Sequence, residues 1–324
     1  MPDGPLIQPG DALLVAAPAA WREACLSVPA MRALKRIGAA VRVLCPERQA
    51  AFWQASGFET AGLYREKASV REIAALLERT GTALAWEAGD AADAIAKAGI
   101  PRRLGPPAKG LEKRLTEAIR VVEEPGPVRH RVQFYLGLVE KLGAETMTPA
   151  NFVPVTPGVP RVMERVLLVP DSDLGRHFEW PLERWKELAA SLWETGRPIR
   201  IGSAGPLGEK LGEALEKNAE SVRLEPPALE ELASHGLCIA ADGSVPHLAA
   251  HVGTRCLVLF GPGEPEWMRP LGRQHGIARR KVECSPCFAS KCPMDLRCQN
   301  ELEVAEVLRL VPGLAISPQS EQAG

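Results

Sequence analysis

The sequence predicts two doubly wound α/β domains in series, each a parallel sheet covered on both faces by helices. Three observations carry that prediction. Short apolar runs alternate with one-sided helical segments in the first half, the same alternation restarts in the second half, and a proline-rich stretch that suits neither pattern separates them. At 324 residues the chain exceeds one core of ordinary size and suits two domains of roughly 150 residues.

In the first half DALLVAA (11–17), AVRVLC (40–45) and TALAW (82–86) read as strands. VPAMRALKRIG (28–38), PERQAAFWQASG (46–57) and SVREIAALLERTG (69–81) read as helices between or before them. Residues 144–160 hold Pro149, Pro154, Pro157 and Pro160, which cannot continue a helix or a central strand, so a linker is expected over 146–164. The domains are expected at 1–145 and 165–315, with a disordered tail at 316–324. In the second half VLLVP (166–170), IRIG (199–202), SVRL (221–224), LCIAA (237–241) and CLVLF (256–260) are the strands. Helices begin near Pro181, Pro206, Ala228 and Pro246; in the first of these Trp185, Leu188, Ala189 and Leu192 share one face, and Gly196 lies beyond the end.

With 46% hydrophobic and 24% charged residues and a net charge of −1, the chain is an ordinary soluble protein with no global attraction to nucleic acid. Its N-terminus, MPDGPLIQPGDALLVAAP, has no basic leader and only a short apolar run, so neither a signal peptide nor a membrane span is expected and the location expected is cytoplasmic. Between Arg102 and Arg131 eight Lys/Arg face four Glu. That excess would draw a phosphorylated acceptor or an anionic membrane face, although a solvated helix face accounts for the same run.

The densest signal is ADGSVPHLAAHVGTRCLVLFGPGEP, residues 241–265. Two apolar runs flank a one-sided helix closed by Gly253, which is a βαβ unit. Gly243 and Ser244 permit a tight turn, so the first amides of the helix and the positive end of its dipole would face an anion. Asp242 can accept hydrogen bonds from hydroxyls, and His247 can donate one to a phosphate oxygen. An ordinary crossover in which Asp242 caps the helix and His247 is a core histidine uses the same residues.

Eight cysteines divide into two groups. Cys25, Cys45, Cys238 and Cys256 lie in apolar settings and read as buried thiols. Cys284, Cys287, Cys292 and Cys298 have the spacing C-x2-C-x4-C-x5-C, which can hold a structural zinc or an iron–sulfur cluster; free thiols or a disulfide are the alternatives.

These motifs together resemble glycosyltransferase family 9, the ADP-heptose:lipopolysaccharide heptosyltransferases. Asp242-Gly243-Ser244-Val245-Pro246-His247-Leu248-Ala249 is similar to the family's D-[S/T]-G-x-x-H-L-A, and Phe260-Gly261-Pro262-Gly263-Glu264-Pro265 to its F-G-P-T-x-P. Trp180-Pro181-Leu182-Glu183-Arg184-Trp185 looks like its W-P-x-x-x-[W/F], and Val28-Pro29-Ala30-Met31-Arg32-Ala33-Leu34-Lys35 like its T-P-A-L-R-A-L-K. Residues 98–105 and a helix over 128–143 extend the likeness. The resemblance implies the GT-B fold, two Rossmann-like doubly wound domains whose parallel sheets face a central cleft.

It also implies an inverting, metal-independent transfer of heptose from a nucleotide-sugar donor, ADP-heptose, to a lipopolysaccharide-core or similar glycan acceptor. By position Asp242 would bind donor-sugar hydroxyls, Gly243, Ser244 and His247 the diphosphate, and Glu209 the ribose. No cofactor is implied for catalysis; the zinc would be structural only. The expected partners are the donor, a lipid-linked or phosphorylated glycan acceptor and the cytoplasmic face of the inner membrane, with no nucleic acid.

Two departures bear on the chemistry. Arg22-Glu23 stands where the family has Gly-Asp, so by position Glu23 would be the general base that deprotonates the acceptor hydroxyl, a surface or N-capping residue being the alternative. Phe178-Glu179-Trp180-Pro181 stands where the family has K-R-W-P, leaving Arg176 or His177 to supply positive charge at the leaving diphosphate. The alternative reading is therefore a catalytically impaired paralogue that binds a sugar nucleotide or a glycan. A nicotinamide oxidoreductase is disfavoured, because APAAWREA after the first strand has no G-x-G-x-x-G.

Overall fold

Every strand pairing in the computed structural model is parallel, and the described residues, 6–78, 80–121, 126–289 and 291–312, form two six-stranded sheets that share no strand. The chain divides into two units, Met1–Val155 and Thr156–Gly324. The tail expected at 316–324 lies outside the described residues.

The first unit runs β1 (Ala12–Ala16), α1 (Trp21–Arg36), β2 (Ala40–Pro46), α2 (Ala50–Ala55), β3 (Glu59–Tyr64), α3 (Val70–Ala75), β4 (Thr82–Ala85), α4 (Asp90–Lys97), β5 (Arg102–Gly105), β6 (Glu117–Ala118) and α5 (Val132–Lys141). Its strand order is β3-β2-β1-β4-β5-β6. The helix expected from Val28 begins at Trp21, and Pro29 lies inside it. Trp21, Ala24, Cys25 and Val28 are all buried at helical spacing, and that apolar face outweighs the hydrogen bond a mid-helix proline forfeits.

The second unit runs β7 (Val162–Val169), α6 (Leu182–Glu194), β8 (Ile199–Ser203), α7 (Pro206–Ala214), β9 (Glu220–Arg223), α8 (Leu229–Ala233), β10 (His235–Ala241), α9 (Ser244–His251), β11 (Arg255–Phe260), α10 (Pro265–Met268), β12 (Gly276–Arg279), α11 (Arg297–Asn300) and α12 (Val304–Arg309). Its order is β12-β11-β10-β7-β8-β9. Trp180, Trp185, Leu188 and Leu192 pack on Val166, Leu168 and Ile239, which places the predicted face of α6 on the sheet. Arg161, just before β7, donates to the carbonyls of Ala233, Val252 and Gly253 and so fastens the C-terminal ends of α8 and α9.

In each unit the first strand lies centrally and the chain reverses direction across it, so β1 and β4 in one sheet and β7 and β10 in the other mark the topological switch point. Loops at the carboxyl ends of such strands form the crevice where α/β sheets take ligands. Among the described residues no helix is long and apolar enough to cross a membrane.

Candidate functional site

In the second unit the loop after β7 ties together the elements around the switch point, one residue at a time. Asp171 accepts hydrogen bonds from the amides of Ala204 (2.9 Å), Leu207 (2.9 Å) and Gly208 (3.0 Å), and so caps the N-terminus of α7. The Ser172 hydroxyl donates to the Asp242 carbonyl (2.5 Å), while its amide donates to Glu179 (3.2 Å). Asp173 reaches α9, where its carboxylate accepts from the Ser244 amide (2.8 Å) and the Ser244 hydroxyl (2.5 Å).

Two glycines make this closeness possible through lack of bulk. A Cβ on Gly243 would come within 2.8 Å of the Asp173 carboxylate, and one on Gly263 within 2.4 Å of the Asp242 carboxylate. Gly243 is extended, with φ 168°, so it is space and not backbone strain that calls for glycine here.

The structure therefore gathers Asp242, Gly243, Ser244 and His247 with the first turn of α7, which carries an exposed Glu209. Helix α9 starts at Ser244, two residues before the expected Pro246. Asp242 and His247 are each only 3% exposed and both are engaged with neighbours. Arg176 is exposed, on the short turn Arg176–Phe178. Glu179, where the resemblance led to a basic residue, is half-buried, and burial pushes its carboxyl above the usual range despite the Ser172 amide. Nothing in the sequence marked Asp173, because its partner lies 71 residues away.

In the first unit Glu23 sits in the first turn of α1, 14% exposed, and pairs across to α5. Arg131 approaches its two oxygens at 3.0 and 3.3 Å, and the Tyr135 hydroxyl donates to Oε2 at 2.5 Å. Tyr135 is buried, and burial first, then the Glu23 charge, pushes its phenol well above the ordinary value, so it remains a donor. Arg131 also lies over the Phe134 ring, 4.1 Å from its centroid. Glu23 is thus an ion-paired carboxylate on a fixed support, with Oε1 the less occupied oxygen. A second carboxylate, the exposed Glu87 after β4, accepts from the Ala19 amide at 3.0 Å and flanks the β1–β4 switch point; sequence reasoning passed over it.

Half of the eight basic residues at 102–131 are engaged internally, Arg131 with Glu23 among them. Arg102 pairs with Glu117 at 2.7 Å and Arg114 with Asp93 at 2.5 Å, and Arg103 donates to the carbonyls of Arg114 and Ile100. Glu123 and Glu124 lie outside the described residues.

The four clustered cysteines line one small cavity of about 20 Å³ together with His177, whose Nε2 is buried without a hydrogen-bond partner among the described residues. Burial first, then the neighbouring Cys284, Cys287 and Cys292, pushes the Cys298 thiol up to about 11. As placed, however, no group of three or more His, Cys, Asp or Glu among the described residues is set to hold a metal ion. Their loop leans on the FGPGEP turn: the amides of Cys287 and Phe288 donate to the Pro262 carbonyl, and the Ser285 hydroxyl to that of Gly261.

Two parallel Rossmann-like sheets, with a glycine-lined acidic turn at the second switch point, define a protein of the GT-B class. A glycosyltransferase family 9 structure from Veillonella parvula shares this fold with a TM-score of 0.77 at 13% identity, over 95% of this chain and 98% of that one. An E. coli heptosyltransferase solved with ADP-2-deoxy-2-fluoro heptose gives a TM-score of 0.70 at 13% identity, over 92% and 98% of the two chains. Residues 145–297 match glycosyltransferase family 9 (heptosyltransferase). That matched region, a little under half of the chain, is what the protein shares in sequence with glycosyltransferase family 9. Lipopolysaccharide heptosyltransferase 1 of Pseudomonas aeruginosa is 30% identical over 160 residues, which span 48% of this chain and 44% of that relative.

Proposed function

We propose that the protein is an inverting glycosyltransferase that moves heptose from ADP-heptose to a hydroxyl of a lipopolysaccharide-core or similar glycan. The observation that carries this reading is the Asp242–His247 turn at the β7–β10 switch point, within the region that matches the family. In it Asp242 receives donor-sugar hydroxyls, the Gly243 and Ser244 amides with His247 receive the diphosphate, Arg176 supplies positive charge at the leaving group, and Glu209 binds the ribose. Glu23 takes the proton of the attacking hydroxyl through Oε1 while Arg131 and Tyr135 fix its orientation. The protein would work in the cytoplasm, at the inner-membrane face that presents the acceptor.

The test is acceptor-dependent ADP release from ADP-heptose with a heptose-deficient lipopolysaccharide. Glu23→Gln is expected to lower kcat by about 10²–10⁴-fold, the usual worth of a general base. Release untouched by the substitution would remove Glu23 from the chemistry. Binding of ADP-heptose without any release would favour the impaired paralogue, a reading that the ion pair on Glu23 supports.

The cysteine loop is proposed as a structural zinc site, on the strength of four thiols sharing one cavity. Zinc would have to draw them closer than they stand, and no catalytic step runs through it. Elemental analysis of the purified protein should find about one zinc per chain if all four thiolates bind it; a metal-free protein with full activity would refute the site.

A further inference from the structure

We propose that Asp173 is an internal anion that closes the N-terminus of α9 against a diphosphate, so that this one side chain sets how tightly the donor site takes an anionic ligand. The inference rests on the donor reading above. A phosphate bound at this turn needs the Ser244 amide, which is given to the Asp173 carboxylate at 2.8 Å, as is the Ser244 hydroxyl at 2.5 Å. An isologous cap would come from the residue before the helix, but Gly243 has no side chain to offer. The acid comes instead from the loop after β7, and Gly243 is the residue whose missing Cβ admits it. A carboxylate and a phosphate oxygen use the same donors and the same dipole, and they repel each other, so only one can occupy the turn.

The loop is built so that Asp173 can leave while its neighbours stay. Asp171 is buried and held by three amides of the α7 end, and Ser172 is held by Asp242 and Glu179. Asp173 is itself exposed, and Gly175, at φ 110°, follows two residues later in a conformation that favours glycine. A rotation of the Asp173 side chain into water would uncover the Ser244 donors without unfolding the caps on either side.

The test is calorimetric titration of ADP into the full chain and into Asp173→Asn, Asp173→Ala and Glu183→Gln, with thermal melts to verify folding. Glu183 is an exposed acid on α6 whose removal changes the net charge equally. Both Asp173 variants are expected to bind ADP roughly tenfold tighter than the unaltered chain, with Glu183→Gln unchanged, as befits a charge at a helix N-terminus. If the unaltered chain binds ADP and the Asp173 variants bind equally or more weakly, the closing role is overturned while the donor reading stands. If no folded variant binds ADP, the donor reading fails and the closing role fails with it.

Discussion

At the scale of single residues, buried polar groups decide more here than surface charge. His275 is the sharpest case: it is 6% exposed, its Nδ1 accepts the Cys256 amide at 3.1 Å, and burial lowers its pKa to about 4. The folded protein therefore keeps this imidazole neutral where the unfolded chain, with the ordinary value of 6.5, takes up a proton. Stability from this group is complete above about pH 6.5 and is lost as the pH falls toward 4. His235, also lowered mainly by burial, acts in the same direction. The melting temperature should drop across that window, and His275→Gln, which retains an acceptor for Cys256, should flatten the slope; an unchanged slope would assign the acid sensitivity elsewhere. Asp242 and His247 were legible as a pair because both lie on one short stretch of chain. Asp173, Arg131 and Tyr135 were not, because each meets its partner across 71, 108 and 112 residues respectively, and only the folded topology closes those distances.

At the scale of elements, the central strands were legible, and so was the edge strand β9 in SVRL, but several outer strands were not. β1, β2, β10 and β11 are dense apolar runs buried on both faces, as parallel sheets require. β3, β5 and β12, with sequences ETAGLY, RRLG and GIAR, carry glycine, charge and half-exposed positions, so neither periodicity nor hydrophobicity announces them. Helix starts were placed late where a proline lies inside the helix, by seven residues at α1, whose Pro29 is mid-helix, and by two at α9, whose Pro246 is in the first turn. Helix α7 illustrates how an element can depend on a distant cap: its own N-cap, Gly205, supplies no side chain, and Asp171 stands in from the loop after β7. Asp171→Ala should destabilise the second unit by about 1–2 kcal/mol, the usual worth of a helix cap, read as a lower urea midpoint; an unshifted midpoint would mean that water replaces the carboxylate at no cost.

At the scale of the whole molecule, the double alternation of strand and helix made two parallel α/β sheets readable, whereas the strand order, and with it the switch points beside which both acidic clusters lie, came from the structure. The chemical state of those clusters did not follow, because it is set by which loop reaches which helix end. One fastening has a mechanical consequence. Arg161 lies in the second unit just ahead of β7, and its guanidinium grips three carbonyls at the tail ends of α8 and α9. Both ends of the eight-residue α9 are thus held by residues that flank β7, Arg161 before it and Asp173 after it.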